Sequence, residues 1–241
     1  MEYPNWNARP VGWMPSGLPM RTITLRAFRA RLFALVLVPL LALSILAAGV
    51  SVSRAFSVGS GQFLGVPYVL QIQSDGKIVV GGEFSKWNGV SVGYLARLNS
   101  DGTVDTDFVS NEGLGANKPI ESIAIQTDGK IVVAGSFTSW NGTPANRIIR
   151  LNADGTVDAT FMAHISLASN GTVNSVALQS DGKIIVAGSF VRWNNSYVPR
   201  LVRLNSDGTI DSQFAVGLGC CGPDGNVNAV VVQPAGKIVL G

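Results

Sequence analysis

Beyond residue 60 the apolar positions come in short runs bounded by Gly, Asp and Asn, and no stretch keeps a helical period. Leu70 and Ile72 alternate with polar or small positions ahead of Asp75-Gly76, and Ile78-Val79-Val80 follow it. Asp-Gly between two β-prone runs predicts a hairpin, because Gly takes positive φ without steric cost and Asp tolerates it. The same dipeptide stands at Asp101-Gly102, Asp128-Gly129, Asp154-Gly155, Asp181-Gly182 and Asp207-Gly208. The pattern predicts strands over 67–73, 77–84, 94–99 and 103–108, recurring along the chain.

The recurrence is close to literal. Gln73 to Phe84 returns as Gln126 to Phe137 and Gln179 to Phe190, steps of 53 residues, and begins again at Gln233, a step of 54. A second block, Arg97 to Phe108, returns as Arg150 to Phe161 and Arg203 to Phe214. Between the blocks Trp87-Asn88-Gly89 is matched by Trp140-Asn141-Gly142 and Trp193-Asn194-Asn195. A chain of this kind is an array of one supersecondary unit, so its function comes from what the array presents.

Two hairpins per unit predict an all-β chain: a repeat array of four-stranded antiparallel blades forming a partial β-propeller. It has three full repeats, 66–108, 119–161 and 173–214, and a truncated fourth, 227–241. Propeller repeats run from roughly 40 to about 50 residues, whereas the coils of the rival parallel β-helix are shorter. Ile131 to Gly135 is almost continuously apolar, as a strand covered on both faces requires. The pairs Gly81-Gly82, Ala134-Gly135 and Ala187-Gly188 lack bulk where backbones crowd together.

The run read from 128 to 161, Asp-Gly-Lys-Ile-Val-Val-Ala-Gly-Ser-Phe, then Trp-Asn-Gly, then Arg-Leu-Asn-Ala-Asp-Gly-Thr-Val-Asp-Ala-Thr-Phe, resembles the delta-60 repeat of bacterial exported and surface proteins. It resembles kelch-type propellers more loosely. The resemblance covers residues 66–241 and implies a β-propeller-like fold with no established general activity. It supplies no agreed catalytic or binding residues to carry over.

Ahead of the repeats the pattern changes. Arg21, Arg26, Arg29 and Arg31 precede an uncharged apolar stretch, Leu32 to Val50, interrupted only by Pro39 and Ser44. A positive n-region followed by an apolar h-region is the form of an export signal, and 19 residues also suffice for one hydrophobic membrane-spanning helix. Residues 20–57 are therefore a signal peptide, with small residues following for cleavage, or a signal-anchor helix. Either places the repeats outside the cytoplasm, in the periplasm, at the cell surface or secreted, with membrane contact only through residues 32–50. Residues 1–19, rich in Pro, Gly, Asn and Trp, are expected to form a disordered extension, with Met20 a possible initiator.

The 18 Lys and Arg against 15 Asp and Glu suggest a basic protein, but six of those Arg and one Glu precede residue 58, leaving 12 positive and 14 negative charges in the repeats. That balance gives no support to nucleic-acid binding. The 46% hydrophobic content with few charges fits a packed domain and not a disordered one.

Candidate chemistry is sparse. Trp87, Trp140 and Trp193 could stack on sugar rings at a rim, or pack between blades where a buried indole contributes large apolar area. Asn99 to Asp105 lacks the carboxylate spacing and closing Glu of an EF-hand loop; Asp101 serves the turn, and Asp105 answers Arg97 across the hairpin. His164, the one histidine, falls in a variable inter-blade loop without a repeated Ser or Asp partner. Sequons begin at Asn141, Asn170 and Asn194, but a bacterial exported chain is not expected to use them. Cys220 and Cys221 could close a vicinal disulfide, pair elsewhere or stay free. No catalytic, cofactor or metal residue emerges.

These features lead to an exported, non-enzymatic scaffold or recognition domain whose partner is an unknown protein or carbohydrate surface ligand. The alternative is part of a larger secreted, hydrolase-like enzyme with catalytic residues in loops or a missing C-terminal region. The chain stops inside the second strand of the fourth unit, after Lys237-Ile-Val-Leu, so an apolar edge is expected to stay uncovered and to self-associate.

Overall fold

The computed structural model describes residues 64–165, 169–217 and 222–241. The N-terminal extension 1–19, the signal or anchor segment 20–57 with its expected helix, and the Cys220-Cys221 pair lie outside them. Among the described residues no helix is long and apolar enough to cross a membrane.

The first unit holds β1 (Leu64–Ile72), β2 (Ile78–Trp87), the short β3 (Val90–Ser91) and β4 (Leu95–Leu98), followed by helix α1 (Thr106–Glu112). The second repeats this as β5 (Ile120–Ile125), β6 (Ile131–Gly135), β7 (Ser139–Trp140), β8 (Thr143–Pro144), β9 (Ile148–Leu151) and α2 (Ala159–His164). The third is β10 (Val173–Leu178), β11 (Ile184–Gly188), β12 (Arg192–Trp193), β13 (Ser196–Tyr197), β14 (Leu201–Leu204) and α3 (Ser212–Gly217). A hairpin of β15 (Val230–Val232) and β16 (Ile238–Leu240) begins a fourth.

Each unit is an antiparallel sheet with the second strand central, in the orders β1-β2-β4, β5-β6-β9 and β10-β11-β14. The turns form as their residues require: Gln73 N–H donates to Lys77 O at 2.8 Å and Gly76 N–H to Gln73 O at 3.0 Å, with Gly76 at φ 83°.

The expected fourth strand is a correction. Residues 103–108 pair only through single bridges, Leu98 with Val104, and likewise Leu151 with Val157 and Leu204 with Ile210. The chain then turns into a short helix. Asp105 caps α1 by accepting from Phe108 N–H at 3.2 Å, and Asp158 caps α2 by accepting from Thr160 and Phe161 N–H. The helical turn carries Phe108 and Phe161 into the interior, which a continuing edge strand would not do. The second and third blades are thus three-stranded with a vestigial fourth pairing; the first sheet has four strands, but its fourth is the short β3 paired with the end of β2 and not residues 103–108. The absence of helices expected beyond residue 60 does not hold.

Successive units meet through their first strands, β1 against β5, β5 against β10 and β10 against β15. No backbone ladder joins these strands; instead the Ser122 hydroxyl accepts Val176 N–H at 3.0 Å and the Ser175 hydroxyl accepts Val230 N–H at 3.1 Å. The apolar core fills these junctions. Ile120, Ile123, Val133 and Phe137 cluster with Val79 and Leu95 of the preceding unit, while Ala124 and Val132 cluster with Val176 and Val186 of the following one. Close approach explains the small pairs. A Cβ at Gly135 or Gly188 would stand 2.3 or 2.0 Å from the carbonyl oxygen of Pro119 or Thr172, the residue just ahead of the unit's own first strand.

Three units and a starting fourth do not close a ring among the described residues. On the last hairpin Val231 and Val239 are 59% and 49% exposed, whereas Ile185, which holds the place of Val239 one unit earlier, is closed by Val227 and Val230.

Candidate functional site

The polar residues that recur in every unit converge on one structure, a clasp between consecutive units. Arg97 lies on β4 opposite Val79, Arg150 on β9 opposite Val132, and Arg203 on β14 opposite Ile185. Arg97 Nε donates to Asp105 Oδ2 at 2.9 Å, and Lys77 Nζ donates to the same oxygen at 2.8 Å. Arg150 repeats the bond to Asp158 at 3.0 Å, with Lys130 Nζ at 3.7 Å from that carboxylate. Arg203 repeats it to Asp211 at 3.0 Å, with Lys183 at 2.9 Å. Each guanidinium also covers the phenyl ring of its unit, with ring-centroid distances of 4.2 Å at Phe108, 4.4 Å at Phe161 and 4.5 Å at Phe214.

Arg97 and Arg150 also reach forward, while Arg203 Nη1 donates to Gln179 Oε1 of its own unit at 3.3 Å. Arg97 Nη1 donates to the carbonyl of Ala153, and Arg150 Nη1 to that of Ser206, in each case in the Asp-Gly turn of the next unit. The helix adds a second tether to that turn, with Asn111 Nδ2 donating to Asp154 O at 2.9 Å and His164 Nδ1 standing 2.9 Å from Asp207 O. His164 therefore ends α2 and holds a turn, a correction to its placement in a variable loop.

Burial alone pushes the Asp105 carboxyl up, but Lys77, the Phe108 N–H and Arg97 together outweigh it and hold the group below its ordinary value. Asp158 is likewise raised by burial and brought lower still by the Phe161 N–H, Arg150 and Lys130. The exposed turn aspartates behave as turn residues. Asp101 Oδ1 accepts from both Thr103 Oγ1 at 2.6 Å and Thr103 N–H at 2.9 Å, and these bonds lower its pKa.

Trp87, Trp140 and Trp193 are 5%, 2% and 0% exposed, each set edge-on to a Phe three residues before it, with centroids 5.9, 5.9 and 5.5 Å apart. A rim platform needs an indole face open to solvent, and these faces are not, so the stacking role is corrected to packing. Trp140 Nε1 donates to Glu112 O at 3.3 Å, and Asn141 Nδ2 donates to the same carbonyl at 2.8 Å. Asn141 Oδ1 accepts Gly115 N–H at 2.9 Å, so the Trp-Asn loop grips the end of the preceding unit's helix. Asn194 does the same to His164 O at 2.8 Å.

Where the repeats differ, one register is polar in every unit: Tyr68 within β1, Glu121 and Asn174 near the starts of β5 and β10, and Asn228 just ahead of β15. Tyr68 Oη donates to Glu83 Oε2 at 2.6 Å, and that bond is the main reason its pKa is pushed up to about 12. Glu121 is raised by burial and then by the Glu83 charge. Asn174 Nδ2 donates to Val227 O at 3.0 Å. Sequence reasoning missed this polar register, the Lys of each clasp and the burial of Glu112; only the first had a visible signal, a place at which otherwise similar repeats diverge.

Three segments, 73–108, 126–161 and 179–214, match the model of a domain of unknown function (DUF5122) described as a β-propeller. The repeats are therefore of a β-propeller type. No curated protein is significantly similar to the chain. Among solved structures the chain is similar to the extracellular domain of BT4673 from B. thetaiotaomicron, at 16% identity and a TM-score of 0.44 over 73% of this chain. It spans 20% of the length of that structure.

Proposed function

We propose that the chain is an exported, non-enzymatic scaffold or recognition domain built of delta-60-type propeller repeats and displayed at the cell surface or in the periplasm. The observation that carries this reading is the use made of the recurring polar residues. Arg, Asp and Lys of each of the three units are bound within the clasps, Asn141 and Asn194 are bound within their Trp-Asn loops, and Arg97 and Arg150 reach carbonyls of the following unit. Such residues support an array, and a partner is read by what differs between units, the register of Tyr68, Glu121, Asn174 and Asn228, with Glu83 bound to Tyr68. Hydroxyl, carboxylate and amide groups at one register suit a polar protein or carbohydrate surface.

The test is protease treatment of intact cells producing the chain with a C-terminal epitope. Degradation of the repeats while a cytoplasmic marker survives, directly or after the outer envelope is opened, is the expected result. Protection until the cytoplasmic membrane is broken would overturn the reading.

A further inference from the structure

Glu112 is the last residue of α1, and its side chain is closed from solvent, 0% exposed. Neither carboxyl oxygen has a hydrogen-bond partner of ordinary geometry. One unit later the same register is held by Ile165, also buried, so a carboxyl occupies a site that the array otherwise fills with a hydrocarbon. Backbone and side-chain bonds from both units converge on the end of this helix. Trp140 and Asn141 of the second bind the Glu112 carbonyl, Asn141 N–H donates to Gly115 O at 2.9 Å, and Ala116 N–H donates to Gly93 O at 3.1 Å.

The ionisable groups nearby do not compensate a charge there. On α1 itself stands Asp107, in the exposed first turn, while the capping Asp105 at the far end of the helix is bound to Arg97 and Lys77. The 92–94 segment contributes Tyr94, β7 and its turn contribute no ionisable group, and Lys118 lies on the exposed side of the loop beyond Ala116. Burial pushes the Glu112 carboxyl well above its ordinary value, opposed only by the Gly93 N–H.

We propose that Glu112 makes the junction between the first and second units pH-sensitive: the neutral carboxyl keeps the junction closed, and its ionisation at higher pH opens it by drawing the side chain into water. The sign follows from linkage. An acid with a raised pKa in the closed state contributes stability that is complete below its ordinary value of 4.5 and is lost as pH rises through the raised value. Within that window the open population grows about tenfold per pH unit. The second junction, with Ile165 at this place, lacks the response.

Amide hydrogen exchange on the full chain, corrected for the intrinsic base-catalysed rate, tests this. Protection of Gly115 and Asn141 is expected to fall about tenfold per pH unit above about pH 4.5 and then level off, while Asn170 at the second junction stays flat. Glu112→Gln, and Glu112→Ile as the residue native to the next unit, are expected to abolish the slope. A flat profile in the wild-type chain, or an unchanged slope in either folded variant, would overturn the proposal.

Discussion

The guanidinium of Arg150 donates a hydrogen bond to the backbone carbonyl of Ser206, 56 residues along the chain and one unit further on. The same side chain holds Asp158 within its own unit, so one residue ties a blade together and ties it to the next. Truncation to Ala leaves Asp158 as a poorly compensated buried charge, which typically costs about 3–5 kcal/mol. Arg203→Ala is expected to cost less, since the Arg203 side chain is 20% exposed against 6% for Arg150. Urea unfolding of the two variants checks the order.

The clasp also sets the acid limit of the fold. Asp105 and Asp158 have depressed pKa values, so their contribution is complete above the ordinary value of 3.8 and is lost as pH falls through the depressed ones. Thermal melts between about pH 2 and 7 are expected to show an acid limb that Asp158→Asn flattens while lowering stability at neutral pH. An equally steep limb in Asp158→Asn would remove Asp158 from the explanation.

Trp193→Ala should destabilise the third unit by about 3–5 kcal/mol, the usual loss for a buried large aromatic. Asn141→Ala removes a donor to Glu112 O and an acceptor for Gly115 N–H, and should cost about 1–3 kcal/mol. Denaturant titrations give both values.

Much of this was legible in the sequence, for local reasons. Asp-Gly turns between apolar runs define hairpins without help from distant residues, and the pairing of Asp105 with Arg97 spans only eight residues. The helices were not legible, because Val104, Thr106 and Phe108 alternate as a strand would, and the one contrary signal, Asp105 as a cap, already had a reading as the partner of Arg97. Glu112 could not be seen as buried, because Trp140 and Asn141, which bind its main-chain carbonyl, come from the next unit. The Lys arm of each clasp is hidden for the same reason: Lys77 meets Asp105 across 28 residues and a change of strand.

The last hairpin presents Val231 and Val239 to solvent on short strands. Apolar strand surface of this kind recruits other chains. The 241-residue chain is expected to self-associate in detergent solution, and Val239→Lys to shift sedimentation velocity profiles toward monomer. A concentration-independent monomer peak for both would remove the edge from consideration.

The glycines of the second strand offer a sharper contrast. A Cβ on Gly188 would stand 2.0 Å from Thr172 O, a backbone atom at the entry to β10 that accepts the Ser189 N–H at 2.9 Å. A Cβ on Gly81 would meet Ile120 Cγ2 at 2.6 Å and Ile123 Cδ1 at 2.9 Å, both side-chain atoms, and the next units already carry Ala134 and Ala187 at this register. Methyl ends of Ile can shift by rotamer change, whereas a backbone carbonyl at a strand's entry moves only with that strand. Gly188→Ala is therefore expected to cost about 3 kcal/mol or more, and Gly81→Ala about 1 kcal/mol or less. Midpoints of urea unfolding measured side by side decide it: equal losses at the two positions would mean that strand crowding is not what reserves position 188 for glycine.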